Sequence, residues 1–197
     1  SETISKDHRR RYEINLQNNY HEGWRLSYKY STILMNSIDS DDLYNLCCVN
    51  HGQYMNELKI GDPLDEGTTL GPMAQKSGIQ TIKKQLKDAK SNGAEIKYHP
   101  GPLPEGNNYT LPAILTNVNH TMDVMMKESF GPIVGIMGVD SDEQAIALMN
   151  DSPYGLTASA WTSDSQKATE IGNRLETGTF FMNRCDYLDP DLPWVGV

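Results

Sequence analysis

A single carboxylate, Glu128, precedes a Gly-Pro pair at the head of an apolar stretch of the chain. Gly131 and Pro132 break any helix and restrict the backbone that leads into the next element. That element, Ile133 to Val139, is apolar throughout rather than alternating, which predicts a strand covered on both faces. We therefore expect Glu128 and Phe130 at the mouth of a buried strand, a usual place for ligand contacts in α/β proteins.

The residues alone leave two interpretations of this turn. In the first, Glu128 caps the turn and Phe130 belongs to the core. In the second, both side chains contact a ligand, because a carboxylate offers paired acceptor positions and a ring offers an apolar face. The residues alone favour the first interpretation.

The three cysteines are the other candidates for chemistry. Cys47 and Cys48 are adjacent and fall within a helical apolar pattern over about residues 41–57, and Cys185 follows a predicted strand. This spacing matches neither a disulfide framework nor a zinc pattern, and unpaired cysteines are commonly small core residues. We predict no metal site and a reducing intracellular compartment, either the cytoplasm or the mitochondrial matrix.

Composition limits the classes of function. The 197 residues suit one domain or at most two, with 38% apolar and 22% charged residues. A net charge of −9 argues against nucleic-acid binding, although Arg9, Arg10 and Arg11 form a small basic cluster. No apolar run approaches the ~18 residues of a membrane span, and no secretory signal is evident.

The elements that must position the site follow a pattern of alternating strands and helices. Ser141 and Ser163 each open a capping box ahead of a helical segment. The predicted elements are a helix over 74–91, strands over 94–98, 109–115 and 133–139, a helix after Ser141, a strand over 156–162, a helix over 163–175 and a strand over 179–183. This order predicts an α/β fold with a parallel or mixed sheet and flanking helices. Residues 1–37 are predicted as an irregular N-terminal arm, and residues 38–197 as the domain.

Five ordered motifs resemble the aldehyde dehydrogenase family. The resemblance is strong from about residue 58 to residue 197, moderate over 38–57 and absent before. The motifs are Glu-Ser-Phe-Gly-Pro at 128–132, Ile-Gly-Asp-Pro at 60–63 with Leu-Gly-Pro at 70–72, Tyr-Thr-Leu-Pro-Ala at 109–113, Asn-Asp-Ser-Pro-Tyr-Gly-Leu at 150–156 and Gly-Thr-Phe-Phe-Met-Asn at 178–183. The resemblance implies the catalytic-domain fold of that family, truncated at its C-terminal end before a Lys-x-Ser-Gly motif.

The resemblance also implies a chemistry: oxidation of an aldehyde to a carboxylic acid with NAD(P). A cysteine thiolate attacks the carbonyl, a hydride passes to nicotinamide, and a glutamate-activated water releases the acyl group. By this resemblance Glu128 accepts hydrogen bonds from the nicotinamide-ribose hydroxyls and Phe130 packs near the ring. Asn183 and Trp194 match positions near the substrate tunnel.

The sequence departs from the family where the nucleophile is expected. The Gly-Gln-x-Cys motif of the family lies roughly 30 residues before the Ile-Gly-Asp-Pro turn, which falls near Ser31, and no cysteine stands there. The general-base motif Glu-Leu-Gly-Gly and the phosphate-binding half also lack counterparts. We therefore assign no catalytic residue and do not expect this chain alone to bind NAD(P).

Three hypotheses of function remain open. The first is a non-catalytic remnant that acts as a structural or interaction subunit of a larger assembly. The second is an incomplete chain of an active NAD(P)-dependent aldehyde dehydrogenase, and the third is a nucleotide-binding regulator. Surface left uncovered by the missing half predicts a protein partner or a homo-oligomer.

Overall fold

The structure, a computed structural model, describes residues 32–36, 52–106, 108–162, 164–183, 190–191 and 195–196. Residues 52–57 are helical. The strands with defined bounds in this part of the chain are β1 (Thr32–Asn36), β2 (Glu95–Tyr98), β3 (Ala113–Thr116), β4 (Ile133–Val139), β5 (Thr157–Ala160) and β6 (Thr179–Met182), and the helices are α1 (Lys76–Ser91), α2 (Asp123–Met126), α3 (Asp142–Asn150) and α4 (Ser165–Gly172). None of the described helices is long and apolar enough to cross a bilayer.

The described residues form two compact units that divide between Gly138 and Val139. The first contains a four-stranded sheet in the order β1-β4-β3-β2. Strands β3 and β4 pair in parallel, whereas β2 and β3 pair antiparallel. The predicted α/β fold with a parallel or mixed sheet is therefore confirmed.

Strand β4 is covered on both faces, as its unbroken apolar sequence predicts. Ile133 belongs to one buried cluster, which also contains Ile82 and Leu86 of α1. Ile136 belongs to a second cluster with Met55, which lies in the helical segment 52–57, and Ile114. A strand with apolar layers on both sides is held firmly, so the turn that precedes it has a fixed anchor.

Helix α1 packs one stripe of residues on the sheet. Its buried positions recur with helical spacing and are Ile79, Ile82, Gln85, Leu86 and Ala89. The helix begins at Lys76 rather than at the predicted residue 74, because Gln75 is still extended. It ends before Asn92 and Gly93, the predicted stop, where Gly93 takes a φ of 95° that favours glycine.

Two predicted features of this unit are wrong. Strand β3 begins at Ala113 instead of Tyr109, because Pro112 has no N–H to donate to a ladder, and the Tyr109 hydroxyl donates instead to the carbonyl oxygen of Gly61 at 3.2 Å. Thr32–Asn36, placed in the irregular arm by its sequence, forms β1 beside β4. Sheet pairing, which a local pattern does not encode, decides this segment.

The second unit contains the parallel pair β5–β6 and the helices α3 and α4. Ser141 caps α3 as predicted, because its Oγ accepts from the N–H of Gln144 at 3.1 Å. The predicted cap at Ser163 is wrong: Asp164 is the N-cap of α4, and its carboxylate accepts from the N–H of Lys167 at 3.0 Å. Helix α4 ends at Gly172, three residues before the predicted end.

Candidate functional site

The turn between α2 and β4 carries a bulky residue in an unusual backbone conformation. Phe130 has a φ of 48°, in the left-handed region that a phenylalanine rarely occupies. Phe130 is 46% exposed, so its interpretation as a core residue is wrong. A conformation of this kind persists only where the surroundings impose it, and such conformations cluster at functional sites.

A buried amide from α1 holds the backbone of this turn. Gln85 Nε2 donates to the carbonyl oxygens of Lys127 at 3.4 Å and Glu128 at 3.3 Å, and Gln85 Oε1 accepts from the hydroxyl of Ser129 at 2.7 Å. Gln85 is 2% exposed and Ser129 is 3% exposed. Three consecutive residues are thereby tied to one side chain in a region without water competition.

The Gly-Pro pair completes the turn by close packing. A Cβ at Gly131 would lie 2.8 Å from Ile82 Cδ1 and 3.1 Å from Met73 Cε, so only glycine lets the backbone approach α1 without displacing them. The carbonyl oxygen of Pro132 accepts from the N–H of Ala113 at 2.9 Å, which joins the end of the turn to β3. Phe130 therefore sits between two tethered neighbours.

The Glu128 carboxylate is half-buried and, within the residues that the structure describes, makes no hydrogen bond or ion pair. The neighbouring cation, Lys127, pairs with Asp123 of α2 at 2.8 Å instead. Glu128 accepts no described backbone N–H through its side chain, so the capping interpretation is wrong as well. The carboxylate oxygens of Glu128 are therefore not used by the described residues, and the exposed Phe130 follows two residues later in the same turn.

Asn183 has both ends of its side-chain amide engaged. Nδ2 donates to the carbonyl oxygen of Thr162 at 2.8 Å, and Oδ1 accepts from the N–H of Thr162 at 2.9 Å. With a φ of 56°, Asn183 closes the end of the β5–β6 pair. Its place near a substrate stays a prediction, and Trp194 lies outside the described residues, as do Cys47, Cys48 and Cys185.

A separate cleft of about 330 Å³ lies between α3 and α4 and contains none of the predicted site residues. It is lined mostly by charged side chains, two pairs of which form ion pairs: Lys167 with Asp142 at 2.5 Å, and Arg174 with Glu143. The hydrogen bond from Arg174 lowers the pKa of Glu143, and the hydrogen bond to Asp142 raises the pKa of Lys167. No group of histidine, cysteine or carboxylate side chains that could hold a metal occurs in the described part of the chain.

Sequence reasoning missed Gln85 and Ser129, the two residues that hold the turn. Gln85 carries a detectable signal, because it occupies the apolar stripe of α1 three residues after Ile82 and four before Ala89. A polar side chain on a buried stripe requires a partner. The identity of that partner, 44 residues away along the chain, has no local signature.

Known proteins resemble this chain over its larger part. A sequence profile described as the aldehyde dehydrogenase family matches residues 41–197. An aldehyde dehydrogenase from Paenarthrobacter nicotinovorans is 40% identical over 144 residues, which are 73% of this chain and 31% of that protein. A succinate-semialdehyde dehydrogenase (NADP+) from Deinococcus radiodurans is 32% identical over 163 residues, 80% of this chain and 33% of the relative. The chain thus spans about a third of the length of these relatives.

Solved structures agree on the fold. An aldehyde dehydrogenase from Bacillus cereus superposes with a TM-score of 0.81 at 24% identity, covering 94% of this chain and 38% of that one. An NADP-dependent glyceraldehyde-3-phosphate dehydrogenase from Bacillus halodurans, in complex with NADP, gives a TM-score of 0.76 at 28% identity over 93% of this chain and 38% of that one. The predicted catalytic-domain-like fold is confirmed, and the chain belongs to the aldehyde dehydrogenase family.

Proposed function

We propose that this chain supplies a nicotinamide-ribose contact of the NAD(P) site of an aldehyde dehydrogenase and acts as a non-catalytic subunit of a larger assembly. The observation that carries the first half is the turn itself: the half-buried Glu128, whose carboxylate has no described partner, precedes by two residues a strained and exposed Phe130, and a buried amide holds the backbone between them. A turn selected for stability alone would have placed glycine or asparagine at residue 130.

The chemistry of the turn fits a vicinal diol next to a flat ring. A carboxylate accepts from two adjacent hydroxyls at once, and these charge-assisted hydrogen bonds are stronger than neutral ones. The exposed ring of Phe130 offers an apolar surface for a neighbouring nicotinamide. Family members that resemble this chain include structures in complex with NAD+ and NADP, which supports the same class of cofactor here.

The proposal that this chain is non-catalytic rests on two motifs that its 197 residues lack. No Gly-Gln-x-Cys and no Glu-Leu-Gly-Gly string occurs among them, and an alcohol such as Ser31 is too weakly ionised to replace a thiol without a base. We further propose a protein partner or a homo-oligomer as the working form. The lack of a disulfide or zinc pattern among the cysteines supports a reducing compartment, in the cytoplasm or the mitochondrial matrix.

The alternative is that these residues belong to an active NAD(P)-dependent enzyme that oxidises an aldehyde to a carboxylic acid. Two observations favour it: the chain matches about a third of its relatives' length, and the Glu-Ser-Phe-Gly-Pro turn, whose backbone is held by Gln85, is present. Under this alternative the thiol and the general base come from residues outside these 197.

One pair of measurements separates these proposals. The purified chain is incubated with succinate semialdehyde and other aldehydes in the presence of NAD or NADP, and the absorbance of reduced nicotinamide is followed. We expect the chain to produce no more reduced nicotinamide than the Glu128→Gln control. Aldehyde oxidation by the chain that is absent in the control would instead establish the alternative.

Cofactor contact is measured separately, by saturation-transfer NMR with millimolar NAD or NADP. Although this chain alone is not expected to form a stable complex with NAD(P), we expect a weak contact at millimolar cofactor, seen as saturation transfer to the nicotinamide-ribose protons, and Glu128→Gln should abolish it. Equal transfer in both proteins, or none in either, would reject Glu128 as a ribose ligand. Sedimentation of the chain as a monomer in the presence of cell extract would reject the proposed assembly.

A further inference from the structure

We propose that Gln85 of α1 is a positioning residue for Glu128 and Phe130, acting through the turn's backbone and never touching the ligand. The identity of the ligand that the turn binds rests on the proposed function. The way in which Gln85 holds the turn rests on the structure alone. Gln85 lies 43 residues before Glu128 in the chain and in a different element.

The hydrogen bonds of Gln85 use both kinds of group that an amide offers. Its nitrogen donates to two successive carbonyl oxygens, those of Lys127 and Glu128, and its oxygen accepts from the Ser129 hydroxyl. A glutamate at this position would accept but not donate when ionised, and a leucine would do neither. Since Gln85 is 2% exposed, no bulk water can replace a lost partner.

The same face of α1 holds the turn from its other side. Ile82, one helical turn before Gln85, lies against Gly131, where an added Cβ would be 2.8 Å from Ile82 Cδ1. Ser129 is therefore bound by Gln85 and Gly131 is packed on Ile82, with Phe130 between them. Two anchors on consecutive turns of one helix explain how the φ of 48° at Phe130 is imposed.

The position of the Glu128 carboxylate follows from the same contacts. Gln85 donates a hydrogen bond to the carbonyl oxygen of Glu128 and so orients the backbone of that residue. The Glu128 side chain itself has no partner among the described residues. Without Gln85, the peptide units of residues 127–129 could rotate, and Phe130 could relax to a negative φ. The Glu128 carboxylate and the Phe130 side chain would then both be displaced from the positions proposed for ligand contact.

The test uses fluorophenylalanine incorporated into the whole chain and followed by 19F NMR. The sequence contains three phenylalanines, Phe130, Phe180 and Phe181, so the Phe130 resonance is assigned with Phe130→Leu. We expect the Phe130 resonance to shift or broaden in Gln85→Glu and Gln85→Leu, while the other two resonances stay. Gln80→Glu makes the same chemical change at an exposed position of α1 and should leave all three unchanged.

A second readout follows the cofactor contact in the same variants. Loss of one hydrogen bond to the turn should weaken the Glu128-dependent NAD(P) contact by about tenfold, and Gln80→Glu should preserve it. If wild-type protein shows no such contact but the Phe130 resonance moves, the proposed function fails and the positioning role stands.

An unchanged Phe130 resonance in both Gln85 variants would overturn the positioning role, whatever NAD(P) does. Phe180 and Phe181 lie in the other compact unit, so unfolding of the unit that contains α1 is followed by the dispersion of backbone amide resonances of residues 76–138. Ser129→Ala then decides, because it removes only the hydroxyl donor to Gln85. We expect it to shift the Phe130 resonance in the same direction by a smaller amount, and no shift would overturn the proposal.

Discussion

Three non-glycine residues in the described part of the chain adopt the left-handed region, namely Asn117, Phe130 and Asn183, and the turns at Asn183 and Phe130 differ in the side-chain amide that holds them. At the end of β6, Asn183 has a φ of 56° and its own amide bonds both backbone groups of Thr162. Before β4, Phe130 has a φ of 48° and the amide that holds its neighbours comes from Gln85. The backbone conformations are alike, and the sources of the hydrogen bonds differ.

The turn at Asn183 is encoded by its own residue type, whereas the conformation at Phe130 is imposed by contacts with another element. Asparagine tolerates the left-handed region and can bond nearby backbone with its short side chain, so residue type and conformation agree at Asn183. Phenylalanine does neither, so the conformation of Phe130 must be stabilised from elsewhere. A conflict between residue and backbone is a mark of a functional site, whereas agreement is expected of a structural turn.

The largest change in the free energy of unfolding is expected for substitutions of Asn183. Asn183→Ala removes two hydrogen bonds and leaves a Cβ-bearing residue in the left-handed region, which should lower the free energy of unfolding by about 2–4 kcal/mol. Asn183→Gly loses the same hydrogen bonds without the strain and should cost roughly 1 kcal/mol less than the alanine variant. Urea unfolding measures both. Equal losses would show that backbone strain contributes nothing at this turn.

A smaller effect of opposite sign is expected at Phe130. Phe130→Asn should relieve the strain and raise the free energy of unfolding by about 1 kcal/mol, because Phe130 is 46% exposed and its replacement leaves no buried cavity. The same variant should lose the contact with the nicotinamide ring in the NMR experiment. Tyr98→Asn is the matched control, since Tyr98 is 45% exposed and lies in β2 without a positive φ. Destabilisation by Phe130→Asn beyond that of the control would contradict imposed strain.

The smallest effect is expected at the surface ion pair of the second unit. The Arg174 hydrogen bond lowers the pKa of Glu143 below its usual 4.5, so the pair stabilises the fold above that pH and loses its contribution as pH falls through the lowered pKa. Glu143→Gln should therefore flatten the loss of stability below about pH 4.5 and change little near neutrality. Thermal unfolding across pH, at low and high salt, measures this.

The control for that variant is Glu176→Gln, which removes an exposed carboxylate without a cationic partner among the described residues. It should leave the acid limb of the stability curve as in the wild type. An identical curve for both variants would mean that the Arg174 contact does not persist in solution, as happens for many exposed ion pairs.

Patterns with a strong local period were predicted well. The unbroken apolar run of β4, the stripe of α1 and its stop at Asn92-Gly93 all appear in the structure. Predictions failed where pairing or a proline decided the outcome, as in β1 and at the start of β3. In the site, residue types pointed to Glu128 and Phe130, whereas the exposure and strain of Phe130 had no counterpart in the sequence pattern.

Ordered motifs and local periodicity were sufficient to assign the family, the mixed α/β class and the place of the Glu128 turn at the head of a buried strand. The contacts that hold this turn are seen only in the folded chain. Gln85 and Ser129 meet across 44 residues, and Ile82 lies against Gly131 in the same way. These contacts form when separate elements pack together. The type of one residue does not indicate which distant residue it will contact.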